Sequence, residues 1–442
     1  MEYIQVGNYL LLVGGYGYSA TINNHTTFQN LTLVDIKGLA SAIKTGDPIN
    51  SYFTQIEDLR FAVTGGYLGS INDTLYLVGG QKFEGRYNPI GPDHGPGFTQ
   101  EYTNQIKRFT ISHNNGKNLK IEYYNSTIDT ALLHRRDYNM VSQILANGEQ
   151  ALTAFSGVFQ KWDDIPYLNA VNITSSGHEE IQGFKQYFNH YHCAHVPIFS
   201  VENNEMNTVF FGGIARYYLD DQNNLIDDKD VPFVETIAGV RRNSKGEMSE
   251  YVFKEKMPGY LGSGAEFFLN PDIPCFENDI IKYDSLINDT NLIGYIYGGI
   301  NSSADNIFFI NNGTQSSASS TIYKVMLIKS QDPVHVEVTN FESKNKNISI
   351  FPNPAENIVN VSFELDKAQE LSISIYEMNG QQLLHETYSK ELTTKGKNQF
   401  QYNLEGKSSC HKLVVRVESS EFSQSKAIIW QGSGGHKRGR GR

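Results

Sequence analysis

The feature that most constrains this chain is a short apolar run closed by a pair of glycines, which recurs at irregular but similar spacing. It reads Tyr9-Leu10-Leu11-Leu12-Val13-Gly14-Gly15, then Leu75-Tyr76-Leu77-Val78-Gly79-Gly80. Two later copies are Thr208-Val209-Phe210-Phe211-Gly212-Gly213 and Ile293-Gly294-Tyr295-Ile296-Tyr297-Gly298-Gly299. A degenerate copy, Leu152-Thr153-Ala154-Phe155-Ser156-Gly157, fills the widest gap. Such self-similarity marks a fold assembled from one supersecondary unit repeated several times. The copies stand roughly 55 to 85 residues apart, enough for one such unit and its loops. Abundant Phe (25) and Tyr (26) with 39 Gly favour strands, since aromatic and branched side chains suit a pleated, half-buried surface.

Around each copy the strand pattern continues. Short runs precede it, as at Phe61-Ala62-Val63-Thr64, Tyr138-Asn139-Met140-Val141 and His195-Val196-Pro197-Ile198-Phe199. Alternating runs follow it, as at residues 31–36, 105–110, 170–173 and 322–327. Fourth strands are expected at residues 120–124 and 334–338. Four antiparallel strands per repeat, set radially, make a β-propeller. The glycines then end the second strand where the backbone needs a positive φ or approaches a neighbour closely.

The apolar run, the glycine pair and a following aromatic (Tyr16, Tyr217, Tyr218) resemble the kelch repeat over roughly residues 1–340. The third copy departs by lacking the first Gly, and the later Trp of the family is mostly absent. The expected fold is therefore all-β: a kelch-like β-propeller with five readable blades, followed by a small β-sandwich. In propellers of this kind strands from both chain ends usually complete one blade. Met1 stands at a first strand, and residues 1–6 show neither a basic n-region nor an apolar h-region. The start is read as internal to a longer gene product, with a sixth blade missing.

Residues 341–347 read as a polar linker, and 348–430 as seven short strands. Phe351-Pro352-Asn353-Pro354, Ile375-Tyr376-Glu377-Met378-Asn379-Gly380, Gly396-Lys397-Asn398, Val415-Arg416-Val417 and Lys426-Ala427-Ile428-Ile429 occur in that order. Together they resemble the type A C-terminal sorting domain of the type IX secretion system of Bacteroidetes-type bacteria. The resemblance implies the type IX machinery as a partner, passage across the outer membrane, and a secreted or outer-membrane-surface location. Its motif residues here are Phe351, Pro352, Asn353, Pro354, Gly380 and Lys426. Ser408-Ser409-Cys410-His411-Lys412 replaces the family's Gly-x-Tyr, and a Gly/Arg tail, 431–442, is expected to be disordered.

Composition narrows function mainly by exclusion. A net charge of −11 speaks against nucleic-acid binding, which needs clustered Lys and Arg to displace counterions. No segment nears the roughly 18 apolar residues of a membrane-spanning helix. Three scattered cysteines, Cys193, Cys275 and Cys410, make no disulfide framework. No hydrolase, zincin, P-loop or Rossmann signature is present, so no catalytic residue is assigned.

Candidate ligand-binding residues sit where loops lead into the repeats: Arg60, Arg135, Arg136, Asp137, His192 and His195. In a propeller such loops converge on the central channel, where Arg and His suit an anionic or hydroxylated ligand. His190, His192 and His195 are candidate metal ligands in so far as His-x-His on a strand shares one face, but no carboxylate stands at a fixed spacing to complete a shell and no metal site is assigned. The acidic loop 220–230 is rich in oxygen ligands, yet it lacks the Gly and terminal Glu of an EF-hand loop. It reads as solvated, with calcium the alternative and no cofactor expected. The chain thus reads as an exported propeller that binds an unknown protein or glycan. A secreted carbohydrate-active enzyme working in the channel is the alternative.

Overall fold

The computed structural model describes residues 1–87, 98–161, 164–308, 313–329, 335–338, 348–365, 367–377, 381–408, 412–419 and 423–431. The chain forms two compact units, Met1–Asn340 and Phe341–Arg442. Among the described residues the regular structure of each is almost wholly β-strand.

Among the described residues the first unit holds five larger sheets, whose main strands follow the chain as antiparallel meanders, and four two-stranded ribbons. Sheet one is β1 (Glu2–Val6), β2 (Tyr9–Val13), β3 (Asn30–Asp35) and β4 (Phe53–Glu57). Sheet two is β5 (Tyr67–Ile71), β6 (Thr74–Val78), β7 (Gln105–Asn114) and β8 (Lys117–Tyr123). Sheet three is β9 (Asn139–Ile144), β10 (Gln150–Phe155), β11 (Ala170–Ile173) and β12 (His178–Glu180). Sheet four is β13 (Ala194–Ser200), β14 (Glu205–Phe211), β15 (Thr236–Arg242) and β16 (Met248–Lys256). Sheet five is β17 (Ala265–Leu269), β18 (Thr290–Gly298) and β19 (Tyr323–Ile328).

Two observations make this a propeller. The first strands of consecutive sheets touch in order, β1 to β5, β5 to β9, β9 to β13 and β13 to β17, so they are innermost. The core is then divided into clusters, one between each sheet and the next. Leu11, Val13, Leu31 and Leu33 pack against Leu75, Leu77 and Phe109. Ile71, Tyr76 and Val78 pack against Met140, Leu152 and Val171. Phe155 and Ala170 meet Phe210 and Val240, while Val209 and Phe211 meet Ala265, Ile293 and Ile296. Both faces of the middle sheets are thus buried, and each large apolar side chain contributes about 1.5–3 kcal/mol.

The glycine pair has a double role. The first glycine's N–H closes onto the third strand, as Gly14 on Asn30 O (2.9 Å) and Gly212 on Thr236 O (2.9 Å). The second donates to the lead-in of the next sheet: Gly15 to Val63 O, Gly80 to Arg135 O, Gly157 to His190 O and Gly213 to Leu261 O, all at 2.8–3.0 Å. A Cβ on Gly14 or Gly212 would lie 2.2 Å from the carbonyl of Val63 or Leu261. In the degenerate copy Ser156 itself takes the positive φ of 52°.

Some expectations fail locally. Phe61-Ala62-Val63-Thr64 is no strand; a 3-10 turn, Leu59–Phe61, leads to β5 instead. The fourth strand expected of the last repeat, His335–Val338, pairs with β16 on the outside of sheet four. The single α-helix among the described residues, Ile36–Thr45, is capped by the Asp35 side chain and by Gly46 in the left-handed region.

The second unit is a sandwich of two sheets. One comprises β20 (Ser349–Phe351), β21 (Ile358–Leu365) and β24 (Gly396–Asn403). The other comprises β22 (Leu371–Glu377), β23 (Gln382–Tyr388), β25 (Lys412–Ser419) and β26 (Ser423–Ile429). Alternating inward residues such as Val359, Val361, Phe363, Ile373, Ile375, Val415 and Val417 form its core.

Candidate functional site

In an antiparallel meander the first strand begins where the second ends, so lead-ins and glycine pairs share one end of the propeller. Four two-stranded ribbons rise from that end, one after each glycine pair of sheets one, two, four and five: 16–19 with 24–27, 81–84 with 99–102, 217–219 with 225–227, and 300–302 with 316–318. Around the axis the lead-ins are joined by backbone hydrogen bonds. Asp137 N donates to Gly65 O (2.8 Å), His192 N to Asp137 O (2.7 Å) and Gly264 N to His192 O (2.9 Å). These four residues occupy the same position in sheets two to five. Two are glycines, so Asp137 and His192 supply the side chains of this rim.

The groups beside them form one cluster. His192 Nε2 lies 3.1 Å from Glu266 Oε1 at the start of β17, and the His195 ring is 6.2 Å from that of His192. Glu2 accepts from Gly66 N at 3.2 Å. Arg136 pairs with Asp137 and donates from Nε to the Tyr102 hydroxyl (3.2 Å). Its guanidinium lies 5.0 Å from the centre of the Phe159 ring. Tyr102 stacks on His134 at 3.9 Å, and Phe159 meets Tyr191 edge-on at 6.4 Å. The rim therefore combines carboxylates, a guanidinium and aromatic faces.

Electrostatics separate the two histidines. Burial disfavours charge on His192, but its hydrogen bond to the Glu266 carboxylate and the nearby Asp137 and Glu2 outweigh it and raise its pKa above the ordinary value. Burial would raise Glu266, yet the His192 bond and charge win and lower it. Buried and repelled by His192, His195 drops to about 4 and is neutral at pH 7. Burial lifts Glu2 to about 7.

The other candidates lie elsewhere. Arg135 is 1% exposed and donates to the carbonyls of Leu132, Ser156 and Asn169 and to Asn169 Oδ1. It is a buried strut inside sheet three. Arg60 is exposed on the flank between sheets one and two, paired with Asp58 at 2.5 Å. The strand expected to align His190 with His192 starts only at Ala194, so the rings diverge. His190 accepts from Arg216 N and bonds Gln186 O. Among the described residues no group of three His, Cys, Asp or Glu could hold a metal. In the acidic loop, Asp220 is turned onto Gln222 N and Asn224 N. Cys193 and Cys275 are free.

Sequence reasoning missed Glu2, Glu266, Tyr102, Phe159 and Tyr191. Glu266 was findable: it stands two residues after Gly264, as Tyr67 stands after Gly65, and counting that register across repeats marks it. Tyr102 and Phe159 lie beyond any repeat register, in a ribbon and a loop.

The opposite end of the axis is crossed by the connection from β17 to β18. Asn278 meets Ser70 of sheet two at 3.1 Å, Glu277 meets Gln150 of sheet three at 3.2 Å, and Ile281–Lys282 pairs in parallel with β13. Asp284 accepts from Ser200 Oγ and Val201 N. Access to the axis is thus from the lead-in end.

Residues 349–430 match the family model of the secretion system C-terminal sorting domain. This segment is a type IX sorting domain. Its motif residues tie the two ends of the sorting domain together. Asn353 Oδ1 accepts from Ile429 N at 2.8 Å, and Ala355 exchanges backbone hydrogen bonds with Ile429 and Gln431. Lys426 Nζ donates to Ile348 O at 3.2 Å. Pro352 and Pro354 shape the turn after β20, and Phe351 is exposed. Gly380, Cys410 and the tail 432–442 lie outside the described residues.

Two solved structures are similar to the chain over most of its length. One, titled as the structure of YjhT, has 9% identity and a TM-score of 0.42, covering 76% of this chain and 83% of its own. The other is a fungal alcohol oxidase of the AA5 family in complex with copper, at 8% identity and a TM-score of 0.30, covering 95% and 85%. No curated protein matches the chain.

Proposed function

We propose that this is a kelch-like propeller exported through the type IX secretion system to the cell surface or medium, where it binds a protein or glycan. The observation that carries export is the match of residues 349–430 to the sorting-domain family. Binding is supported by the rim, where Asp137, Arg136, His192 and Glu266 stand beside Tyr102, Phe159 and Tyr191 at the open end. Aromatic faces with a few charged hydrogen-bonding groups suit sugar rings or a polar peptide.

The test of export is a reporter carrying residues 341–442 behind an inner-membrane signal peptide, in a bacterium with a type IX system. Extracellular or surface reporter is expected in the intact strain and periplasmic reporter in a strain lacking the translocon. Periplasmic retention in both strains would overturn the reading.

A further inference from the structure

We infer that the flank between sheets one and two carries a second, separate binding site, a cationic cleft for an oxyanion such as a carboxylate or sulfate group. The cleft has a volume of about 110 Å³ and is lined by Arg60, Lys107, Arg108, Phe109 and Tyr123 among others. It is built from the 3-10 turn before sheet two and from β7 and β8, away from the rim residues described above.

Three cations line this cleft in a chain whose net charge is −11. One anion stands behind them. Asp58 is saturated by Arg60 N, by the Arg60 guanidinium and by the Tyr123 hydroxyl at 2.8 Å, which hold its pKa far below the carboxylate range. That pairing holds the Arg60 guanidinium over the Tyr123 ring, 3.3 Å from its centre. Lys107 and Arg108 form no ion pair among the described residues. Lys107 Nζ donates to Arg60 O at 2.7 Å, and Arg108 donates to Asn125 O at 3.0 Å. Arg108 also hydrogen-bonds the Tyr76 side chain and Lys107 feels the Asp58 charge, yet each keeps N–H protons to spare for an anion. Burial pulls Lys107 down to about 8 against the opposing pull of the Asp58 carboxylate, with a smaller push from the Arg60 charge. A bound oxyanion would relieve that strain on the charged form, and a guanidinium fork with an ammonium is the usual donor set for it.

A free ion and a uronate or sulfate group on a polysaccharide share this chemistry, and the test separates them. The full chain is titrated calorimetrically with sodium sulfate, sodium glucuronate, an unsulfated oligouronate and a sulfated oligosaccharide. Binding of at least one probe is expected, weakening as salt rises, with a loss of about tenfold or more in the double variant Lys107→Gln/Arg108→Gln. Equal affinity for free and polymer-borne groups assigns a free anion; preference for the oligosaccharides assigns the polymer. Thermal unfolding of the same samples guards against a misfolded variant: the probe should raise the midpoint of the native protein and leave the variant's unmoved. No binding by any of the four probes, or equal binding by the folded double variant, would overturn the inference.

Discussion

Replacing Gly212 by Ala tests why the repeat ends in paired glycines. Gly212 has φ +63°, and an added Cβ would fall 2.2 Å from Leu261 O and 3.1 Å from Met257 Cγ. Gly7 has nearly the same φ, +58°, with nothing within 4 Å. Both substitutions carry the left-handed cost of roughly 1–2 kcal/mol. Only Gly212→Ala must also push sheet four away from the lead-in of sheet five. That endangers the Gly213 N to Leu261 O bond of 2.8 Å beside the buried Leu261, and an orphaned buried group costs about 1–3 kcal/mol. The expected losses are therefore about 2–5 kcal/mol for Gly212→Ala and about 1–2 kcal/mol for Gly7→Ala. For a unit of this size roughly 2 °C per kcal/mol applies, so calorimetry should show a propeller transition lower by about 4–10 °C against about 2–4 °C. Faster amide exchange at Gly213 in the first variant alone would locate the damage. Equal shifts for the two variants would refute the account of the glycine pair as a close-approach device.

Arg135→Met should cost about 3 kcal/mol or more in urea unfolding, because it orphans carbonyls on three residues inside sheet three. The His192–Glu266 pair gives a pH signature with a definite sign. The raised pKa of His192 stabilises fully below its unfolded value of about 6.5 and fades as pH climbs through the folded value. The lowered pKa of Glu266 stabilises above about 4.5 and fades as pH falls through its folded value. Glu266→Gln should thus be destabilised most near pH 5–6, by about 1 kcal/mol or less given partial exposure, with the gap closing at alkaline pH. A gap that widens at high pH would contradict the pairing. In the sorting domain, Asn353→Ala removes the side-chain bond to Ile429 N and should cost about 1 kcal/mol, read as faster proteolysis near β26.

The sequence disclosed the fold because its signal is periodic: apolar alternation marks the strands, and the glycine pairs mark where one sheet touches the next. The sandwich strands from β20 to β26 were readable for the same reason, since one face of each is buried. The site was less legible. Asp137 and His192 lie at repeat boundaries and could be singled out, whereas Arg135 two residues earlier faces carbonyls that only the folded chain brings together. Arg60 has the same residue type and a similar place in its repeat, yet the turn at 59–61 sends it outward to Asp58. The strand 335–338 could equally extend sheet four or sheet five by its alternation; pairing with β16 is a tertiary choice.

The most direct test of binding at the lead-in end is hydroxyl-radical footprinting of the full chain with a ligand selected from glycan and peptide arrays. Protection is expected at Tyr102, Phe159, Tyr191 and His192, with the turns at Gly7 and Gly148 on the opposite end unchanged and the ligand recovered intact. Protection confined to that opposite end, or turnover of the ligand, would contradict it.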